Sequence, residues 1–498
     1  MDSDEEDDFE WSVENEEEFW EELDDIVTAP SETHEEIDDV LRRFLGFTTR
    51  FKEAYLQSEY DVARCCYQLL DAPLSKQNQD YVRRQILYCL LQEDEVDTLH
   101  LAAALLLFDG RSNETAFEMM QTEGAFPRLV ELIRAKRDDD IGLHRLLLEL
   151  LFEMSRIQKL SREDLTTVDD AFILYLFQLI EELSDDADDP YHYPIIRVLL
   201  VLNEQYMCLA NATLSPSEEN GPVTNRILKL LSMHGPSYMT FGENLILLLN
   251  RESQLGPQLL ILKLLYLLFT TPSTYEYFYT NDLHVLVDVI IRNLLDLDPG
   301  NPDSGLAPDQ DGQRALRHTY LRVLCPLLKN TQLAHEGNHY KRDEVRKLLF
   351  LLVNRSSAHF AAVDETIIRL VIRCKQIGWL REEDDEQDEL IEKKLAEVAP
   401  SESIVAKKLL GMSIGEAAES SLSVSEVSAK VTKEKPSVPA PRRRRQGSKP
   451  VGNGDKAHVN GTSGSDTLKV PPQQSMAVGE DISRDETRSP FSDDNAET

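Results

Sequence analysis

Residues 118–133, with the sequence EMMQTEGAFPRLVELI, contain the end of one helix followed at once by the start of another. Gly124 can adopt the left-handed conformation that closes many helices, because it has no Cβ. Pro127 is tolerated only in the first turn of the next helix, which then continues through apolar residues at helical spacing. The stretch therefore predicts a tight corner between two helices.

Helical spacing recurs on both sides of this corner. Residues 141–154 place leucines at positions 143, 146, 147, 150 and 151, which trace one face of a helix with 3.6 residues per turn. The same spacing occurs in residues 82–91, 99–108, 172–180, 195–202, 259–269, 283–295, 316–328 and 345–353. Alternating strands bounded by Asn-Gly turns are missing. The sequence predicts an all-α protein.

A second corner favours a repeated architecture. Residues 275–290, YEYFYTNDLHVLVDVI, follow the first outline, with Asn281 predicted at the left-handed position of Gly124. Both corners resemble the turn between the second and third helices of armadillo repeats. At about 40–47 residues per repeat, an armadillo/HEAT-like helical solenoid over residues 36–380 has room for seven or eight repeats. An irregular helical bundle is the alternative.

Composition limits the class of protein. The 498 residues include 90 acidic and 52 basic side chains, a net charge of −38, which argues against a nucleic-acid partner. The six cysteines show no CxxC spacing, which indicates a reducing compartment and no cysteine zinc site. The apolar run 259–269 is shorter than the roughly 20 residues that a membrane span requires. We expect a cytoplasmic protein with no cofactor and no membrane span.

Two biased segments flank the helical body. Residues 1–35 are strongly acidic and are expected to form a largely disordered arm, and residues 381–498 are expected to form a disordered tail. Within the arm, Asp7, Asp8 and Trp11 resemble the acidic segment with which WASP-type proteins contact the Arp2/3 complex. The arm also carries an apolar stripe that either docks on a partner or, as we favour, caps the first repeat: Phe19, Trp20, Leu23, Ile26 and Val27.

The tail contains a proline-rich motif flanked by cations, residues 433–445. Prolines three residues apart lie on one edge of a polyproline II helix and fit the aromatic grooves of SH3 domains, while the cations pair with nearby acids. The candidate SH3-ligand residues are Lys433, Pro436, Pro439, Pro441 and Arg442. The alternative is a basic patch or a run similar to a nuclear-localisation signal.

One string matches a catalytic motif. His335, Glu336 and His339 satisfy HExxH, which binds zinc when both histidines lie on one helical face. The two residues between them, Gly337 and Asn338, disfavour a helix, and the string lies between two leucine-rich helices. We therefore interpret it as a polar loop. No other catalytic signature is present, and enzymatic activity is not expected.

A family resemblance enters in the last third of the body. Residues 316–333, LRHTYLRVLCPLLKNTQL, followed by residues 340–342 and 344–349, resemble the leucine-rich domain of the WISH/DIP/SPIN proteins, particularly their fungal Dip and Ldb members. Residues 257–289 fit the same domain, and the resemblance is strongest over residues 257–352.

This resemblance implies a non-catalytic activator of the Arp2/3 complex that nucleates linear actin filaments without a preformed filament. It further implies a role at endocytic cortical actin patches, a tail bound by SH3-domain endocytic proteins, and only indirect contact with a filament end. The alternative functions are an armadillo-type adaptor that scaffolds SH3 proteins without nucleating actin, and a zinc hydrolase that uses His335 and His339.

Basic and aromatic residues cluster in the stretch that resembles the family, although the chain as a whole is very acidic. Arginine and tyrosine are enriched where binding energy concentrates in interfaces. The candidate Arp2/3-binding residues are Arg317, His318, Tyr320, Arg322, Lys329, Gln332, Tyr340, Lys341 and Arg342. The alternative is structural: Tyr320 and His318 pack between repeats and the arginines pair with neighbouring acids.

Overall fold

The computed structural model describes residues 11–137, 139–183, 192–212, 223–297, 309–354 and 365–381. These residues form α-helices and short 3-10 helices and contain no β-strand, which confirms the all-α prediction. The α-helices are α1 (Glu16–Thr28), α2 (His34–Tyr55), α3 (Glu59–Asp71), α4 (Pro73–Gln77), α5 (Gln79–Gln92), α6 (Val96–Ser112), α7 (Thr115–Thr122), α8 (Ala125–Ala135), α9 (Ile141–Ile157), α10 (Arg162–Thr167), α11 (Asp170–Glu182), α12 (His192–Ala212), α13 (Arg226–His234), α14 (Met239–Arg251), α15 (Leu255–Thr270), α16 (Thr280–Asp296), α17 (Asp309–Asn330), α18 (Arg342–Asn354) and α19 (Glu365–Lys375).

The corner predicted at Gly124 is present. Helix α7 ends at Thr122, Gly124 has a φ of +79°, and α8 begins at Ala125 with Pro127 in its first turn. The second corner is built differently, so the prediction for Asn281 was wrong. A 3-10 turn, Pro272–Thr274, precedes the corner, and α16 then begins at Thr280, so that Asn281 lies inside the helix. No left-handed residue is needed there.

Side-chain caps determine where several helices begin. Thr33 and Glu36 form a reciprocal capping box at the start of α2, and Ser58 and Asp61 form another at the start of α3. Each box satisfies backbone N–H groups that a helix leaves without an internal partner. Asp140 caps α9 through the N–H of Leu143, at 3.0 Å. The chain therefore changes direction at defined residues between its helices.

The helices are arranged in two rows. In the first row α3, α6, α9, α12, α15, α17 and α19 each pack on the next member. The second row contains α2, α5, α8, α11, α14, α16 and α18, and from α5 onward its members lie against α6, α9, α12, α15, α17 and α19 respectively. Each helix pair thus repeats the pair before it, which is the defining property of a helical solenoid. The described residues confirm the armadillo/HEAT-like prediction.

Close approach between neighbouring helices requires a small residue at one position. A Cβ on Gly110, in α6, would lie only 2.3 Å from the ring of Phe117 in α7. Phe117 is fully buried against this glycine. Glycine costs helix stability inside α6, and here the packing of an aromatic ring offsets that cost.

Polar side chains connect successive members of the first row. Gln205 of α12 donates from Nε2 to the carbonyl oxygens of Ser155 and Gln158, at 2.6 and 2.9 Å, which holds the end of α9. One helix further on, Lys263 of α15 pairs with Glu204 of α12, and both side chains are buried. Buried charges are tolerated when they are paired, and such pairs fix the register of the packed helices.

The N-terminal boundary lies earlier than the expected residue 36. Helix α1 begins at Glu16, and its apolar stripe is buried against the following helices. Phe19 is fully buried between the rings of Phe47 and Tyr55, whose centroids lie 5.1 and 5.0 Å away. The capping interpretation of the stripe is confirmed: α1 presents its acidic residues to solvent and covers the first repeat with its apolar side.

We predict that Phe19→Ala destabilises the protein by about 3–5 kcal/mol, since it removes a fully buried ring from the aromatic cluster. The matched control is Tyr60→Ala on α3, whose side chain is 74% exposed and whose loss should change stability by no more than about 0.5 kcal/mol. Urea denaturation followed by circular dichroism measures both. Equal midpoints for the two variants would contradict a capping role for α1.

Candidate partner-binding surface

The candidate surface is built on the loop between α17 and α18. After α17 ends, a short 3-10 helix, Gln332–Ala334, is followed by a turn in which Gly337 has a φ of +92°. Gln332 donates from Nε2 to the carbonyl oxygen of Phe278, at 3.1 Å, and so ties the loop to the corner before α16. The loop is thereby fixed to the preceding repeat.

Tyr340 and Lys341 close this loop against α16. The ring of Tyr340 stacks on that of His284, with centroids 4.0 Å apart, and its hydroxyl donates to Oδ2 of Asp288 at 3.1 Å. Lys341 Nζ lies 2.9 Å from Oδ1 of the same carboxylate. The hydrogen bond to Asp288 raises the pKa of Lys341 above its ordinary value, at which the ammonium is already charged at neutral pH. Together these contacts place an aromatic ring beside a fixed positive charge.

The HExxH string lies within this loop. His335 and Glu336 are exposed in the turn, whereas the ring of His339 stacks on Trp379 with centroids 4.8 Å apart. Since the string is not helical, the two histidines do not share the helical face that zinc binding requires. The polar-loop interpretation is confirmed. Across the described ranges, no group of three or more His, Cys, Asp or Glu side chains is placed to hold a metal ion.

The nine candidate residues do not form one exposed cluster. Lys329, Lys341 and Arg342 are exposed. Gln332, Tyr340 and His318 are half-buried. Arg317, Tyr320 and Arg322 are buried on α17. The structure thus brings five of the nine, from Lys329 to Arg342, to the loop and its edges.

Tyr320 is a structural residue. Its hydroxyl donates to Oε1 of Gln258, at 2.9 Å, and accepts from Nδ2 of Asn293, at 2.7 Å. Burial raises the pKa of Tyr320 to about 12, because the charged phenolate is disfavoured away from water. The side chain joins α17 to α15 and α16 and cannot touch a partner without leaving the core, as the structural alternative predicted for this residue.

Arg317 and Arg322 also differ from the expectation of an exposed basic surface. Each is only 4% exposed. Arg317 donates from Nη2 to the carbonyl oxygen of Leu297, at 2.7 Å, and so holds the end of α16. This bond is to a main-chain oxygen; that the arginines also pair with neighbouring acids stays a prediction. Long aliphatic stems allow arginine to sit in a core when its guanidinium is hydrogen-bonded.

The other predicted contact residues lie near the first described residue or outside the described residues. Asp7 and Asp8 fall outside the described residues, as do Lys433, Pro436, Pro439, Pro441 and Arg442 of the tail. Trp11 is described: it is half-buried, with its ring edge-on to Phe47 and the centroids 5.5 Å apart. It contacts the first repeat of its own chain in this structure.

Sequence reasoning missed the residues that hold the surface in place. His284 and Asp288 lie on α16, about fifty residues before the loop they orient, and Trp379 follows α19. Trp379 also donates from Nε1 to the carbonyl oxygen of Leu328, at 3.0 Å. The only feature of the sequence that could have indicated these residues is their spacing, because each lies about one repeat away from the residue that it contacts.

The fold and surface define a class: a helical-repeat protein in which a basic and aromatic loop is held rigidly on the C-terminal repeats. Of the helices that the structure describes, none has the length and apolar character to traverse a lipid bilayer. The family model described as SPIN90/Ldb17, leucine-rich domain, matches residues 188–345, which contain the whole of this loop.

Curated relatives extend the match over most of the chain. Protein dip1 of Schizosaccharomyces pombe is 32% identical over 381 residues, which cover 75% of this chain and 96% of the relative. Protein LDB17 of Saccharomyces cerevisiae is 28% identical, covering 73% of this chain and 80% of the relative. LDB17 of Eremothecium gossypii is 26% identical with similar coverage. The chain belongs to the WISH/DIP/SPIN family of SPIN90/Ldb17 leucine-rich-domain proteins.

We predict that Arg317→Glu combined with Arg322→Glu lowers the free energy of unfolding by at least about 3 kcal/mol, because both changes place a carboxylate at a buried position and the one at residue 317 would lie near the carbonyl oxygen of Leu297. The matched control carries the same charge change at exposed positions, Lys329→Glu with Arg342→Glu, and should stay within about 1 kcal/mol of the parent. Urea denaturation compares the two. If the variant with Arg317→Glu and Arg322→Glu were as stable as the parent, Arg317 and Arg322 would again be candidates for partner contact.

Proposed function

We propose that this protein is a non-catalytic activator of the Arp2/3 complex that nucleates linear actin filaments without a preformed filament. The observation that carries the proposal is the match to protein dip1, which spans 96% of that relative at 32% identity. A match of that extent includes the helical body as a whole, so the activity that the family resemblance implies is transferred together with the domain that would perform it.

The solenoid suits this role physically. An activator that works without chemistry must bind the active arrangement of its target more tightly than the inactive one. Moving that equilibrium from 1:99 to 99:1 requires about 5.5 kcal/mol of differential affinity. A surface that deforms on binding would fit both arrangements and lose this difference. The loop at Tyr340 is held by contacts to α16 and to Trp379, which supports a rigid binding surface.

The proposed contact residues are those of the candidate cluster that reach the surface. Lys329, Lys341 and Arg342 supply positive charge, and Tyr340 and Gln332 supply the aromatic and polar groups between them. Complementary charges mainly accelerate encounter and select partners. We therefore expect the target of this loop to present an acidic patch with an apolar centre. Asp7, Asp8 and Trp11 are a second, acidic contact in this proposal, one for which Trp11 would have to leave Phe47.

We further propose that the tail binds SH3-domain endocytic proteins through residues 433–445 and places the activator in the cytoplasm at cortical actin patches. The support is the spacing of Pro436 and Pro439 between cations, which fits the SH3 binding mode. A protein with this tail but no nucleating activity would be an armadillo-type adaptor, the alternative function.

Polymerisation of pyrene-labelled actin with purified Arp2/3 complex, without preformed filaments, tests the activator proposal. The full chain should accelerate assembly, and Lys329→Glu, Lys341→Glu and Arg342→Glu together should raise the concentration needed for half-maximal acceleration about tenfold, or about 1.4 kcal/mol. The matched control reverses three exposed, acid-paired cations at the other end of the chain: Arg42→Glu, Lys76→Glu and Arg84→Glu.

Two outcomes would contradict this proposal. If the full chain leaves assembly unchanged, only the adaptor function remains. If the control triple variant weakens acceleration as much as the loop variant, the charge of the whole chain matters and the loop is not the contact. Thermal melting of both variants separates either outcome from misfolding.

Deletion of residues 433–445 tests the role of the tail. Because the motif lies outside the helical body, we expect nucleation with purified proteins to be unchanged while the protein no longer concentrates at cortical patches in cells. Fluorescence microscopy of a tagged chain measures the second effect. The control replaces Pro436 and Pro439 with alanine, which should reproduce the deletion if SH3 domains read the motif. Unchanged localisation in both variants would reject the SH3 proposal.

A further inference from the structure

Two cysteines from different helices meet where α17 packs on α19. Cys325 lies on α17 and Cys374 on α19, and these two helices are in direct contact. Sγ of Cys325 lies 4.0 Å from the carbonyl oxygen of Arg373, which belongs to the peptide unit that leads into Cys374. The two thiols are themselves within hydrogen-bonding reach of each other. A side chain as short as that of cysteine reaches the main chain of the neighbouring helix, so α17 and α19 approach closely at this point.

The two thiols differ in their access to solvent. Cys374 is fully buried, whereas Cys325 is half-buried. The hydrogen bond with Cys325, together with burial, raises the pKa of Cys374 well above that of an ordinary thiol. Because this hydrogen bond favours the protonated form of Cys374, its S–H donates to the sulfur of Cys325, and such a donor stabilises a thiolate there. Cys325 is therefore the thiol that a small oxidant reaches and that reacts first.

Other cysteines lack either the access or the neighbouring thiol. Cys65 and Cys66 are consecutive on α3, so their side chains leave the helix in different directions, and both are fully buried. Burial raises the pKa of Cys65 to about 12, which makes its thiolate scarce. Cys89 on α5 is half-buried like Cys325, but within the described residues it has no hydrogen bond to a second thiol. The contact between α17 and α19 combines both properties.

We propose that Cys325 and Cys374 form a reversible disulfide bond when the protein meets hydrogen peroxide. The thiolate of Cys325 attacks one peroxide oxygen, the O–O bond breaks, and hydroxide leaves and takes up the proton lost from the thiol to become water, while Cys325 becomes a sulfenic acid. The sulfur of Cys374 then attacks the sulfur of Cys325, and the S–S bond forms as the sulfenic hydroxyl and the proton of Cys374 leave as a second water. Both thiols are oxidised, and one peroxide molecule is reduced to two of water.

The modification fits a reducing compartment, where disulfides are transient and a dithiol reductant restores the thiols. The bond would join α17 to α19 covalently beside a contact that already exists, in which Trp379 donates from Nε1 to the carbonyl oxygen of Leu328 at 3.0 Å. The loop between α17 and α18 rests on the same tryptophan through His339. Oxidation would therefore prevent the two helices that flank this loop from separating, and it requires no activity towards actin.

Mass spectrometry of the purified full chain tests the proposal. The reduced protein is treated with hydrogen peroxide, the remaining thiols are blocked with N-ethylmaleimide in urea, and the intact chain and its digested peptides are weighed. We expect a crosslink between the peptides that carry Cys325 and Cys374, a loss of about 2 Da for the two hydrogens removed, and full reversal by dithiothreitol. The absence of this peptide pair, or its appearance only in crosslinked dimers, would overturn the proposal.

Single substitutions test the roles of the two thiols. In Cys374→Ala the second step is blocked, so Cys325 should accumulate as a sulfenic acid that dimedone labels. In Cys325→Ala the buried Cys374 should stay reduced under the same treatment. The matched control, Cys89→Ala, removes another half-buried thiol and should leave the yield of the crosslink unchanged. Oxidation of Cys374 in the Cys325→Ala variant at the rate of the parent would contradict the assigned roles.

Comparison with the unfolded chain shows whether the fold selects this pair. In native buffer the Cys325–Cys374 crosslink should exceed every other cysteine pair at least about tenfold, because the packed helices hold the two thiols together. In urea this preference should disappear. Circular dichroism should detect no loss of helix on oxidation in native buffer, since the thiols are already in contact. Equal preference in buffer and urea, or loss of helix on oxidation, would show that the bond does not belong to the folded protein.

Discussion

The structure depends on contact between consecutive helices of the first row, from α3 to α19. These helices are apolar on more than one side: in α15, residues from Leu259 to Phe269 are buried almost without interruption. Such a helix cannot be stable alone in water and needs neighbours on opposite faces. Each repeat therefore depends on its two neighbours for stability, and the apolar side at each end of the row must be covered.

Hydrogen bonds and an ion pair between buried polar side chains fix the register of this apolar row. Gln205 joins α12 to α9, the Lys263–Glu204 pair joins α15 to α12, and Tyr320 with Gln258 joins α17 to α15. Apolar contacts alone would allow neighbouring helices to slide, since leucine packs against leucine in several registers. A shift that breaks one of these polar contacts would instead leave a buried polar group without its partner, which costs about 1–3 kcal/mol and more for a charge. The repeats are thus stacked in one arrangement.

The sequence predicted the helices well because helical periodicity is a local property. Gly124 could be placed correctly for the same reason, whereas Asn281 could not, because an upstream 3-10 turn decides its backbone. The candidate site was harder to predict. Tyr320 and Tyr340 are both tyrosines in one polar stretch, yet one is buried on Gln258, sixty-two positions away, and the other reaches the surface on Asp288. Burial depends on partners one repeat away, which local composition does not reveal.

The same polar contacts matter for the proposed activation of a large assembly by a repeat protein. If α15, α16 and α17 could slide, the loop at Tyr340 would shift with α17 relative to His284 and Asp288, and its charges would no longer keep fixed spacing. The hydroxyl of Tyr320 joins these three helices through its hydrogen bonds to Gln258 and Asn293. Arg317 adds a bond to the end of α16. Tyr320 and Arg317 therefore support the exposed members of the candidate cluster: they hold in place the helices that carry the proposed contact residues Lys341 and Arg342. A partner that fits this proposed surface would be selected by its shape.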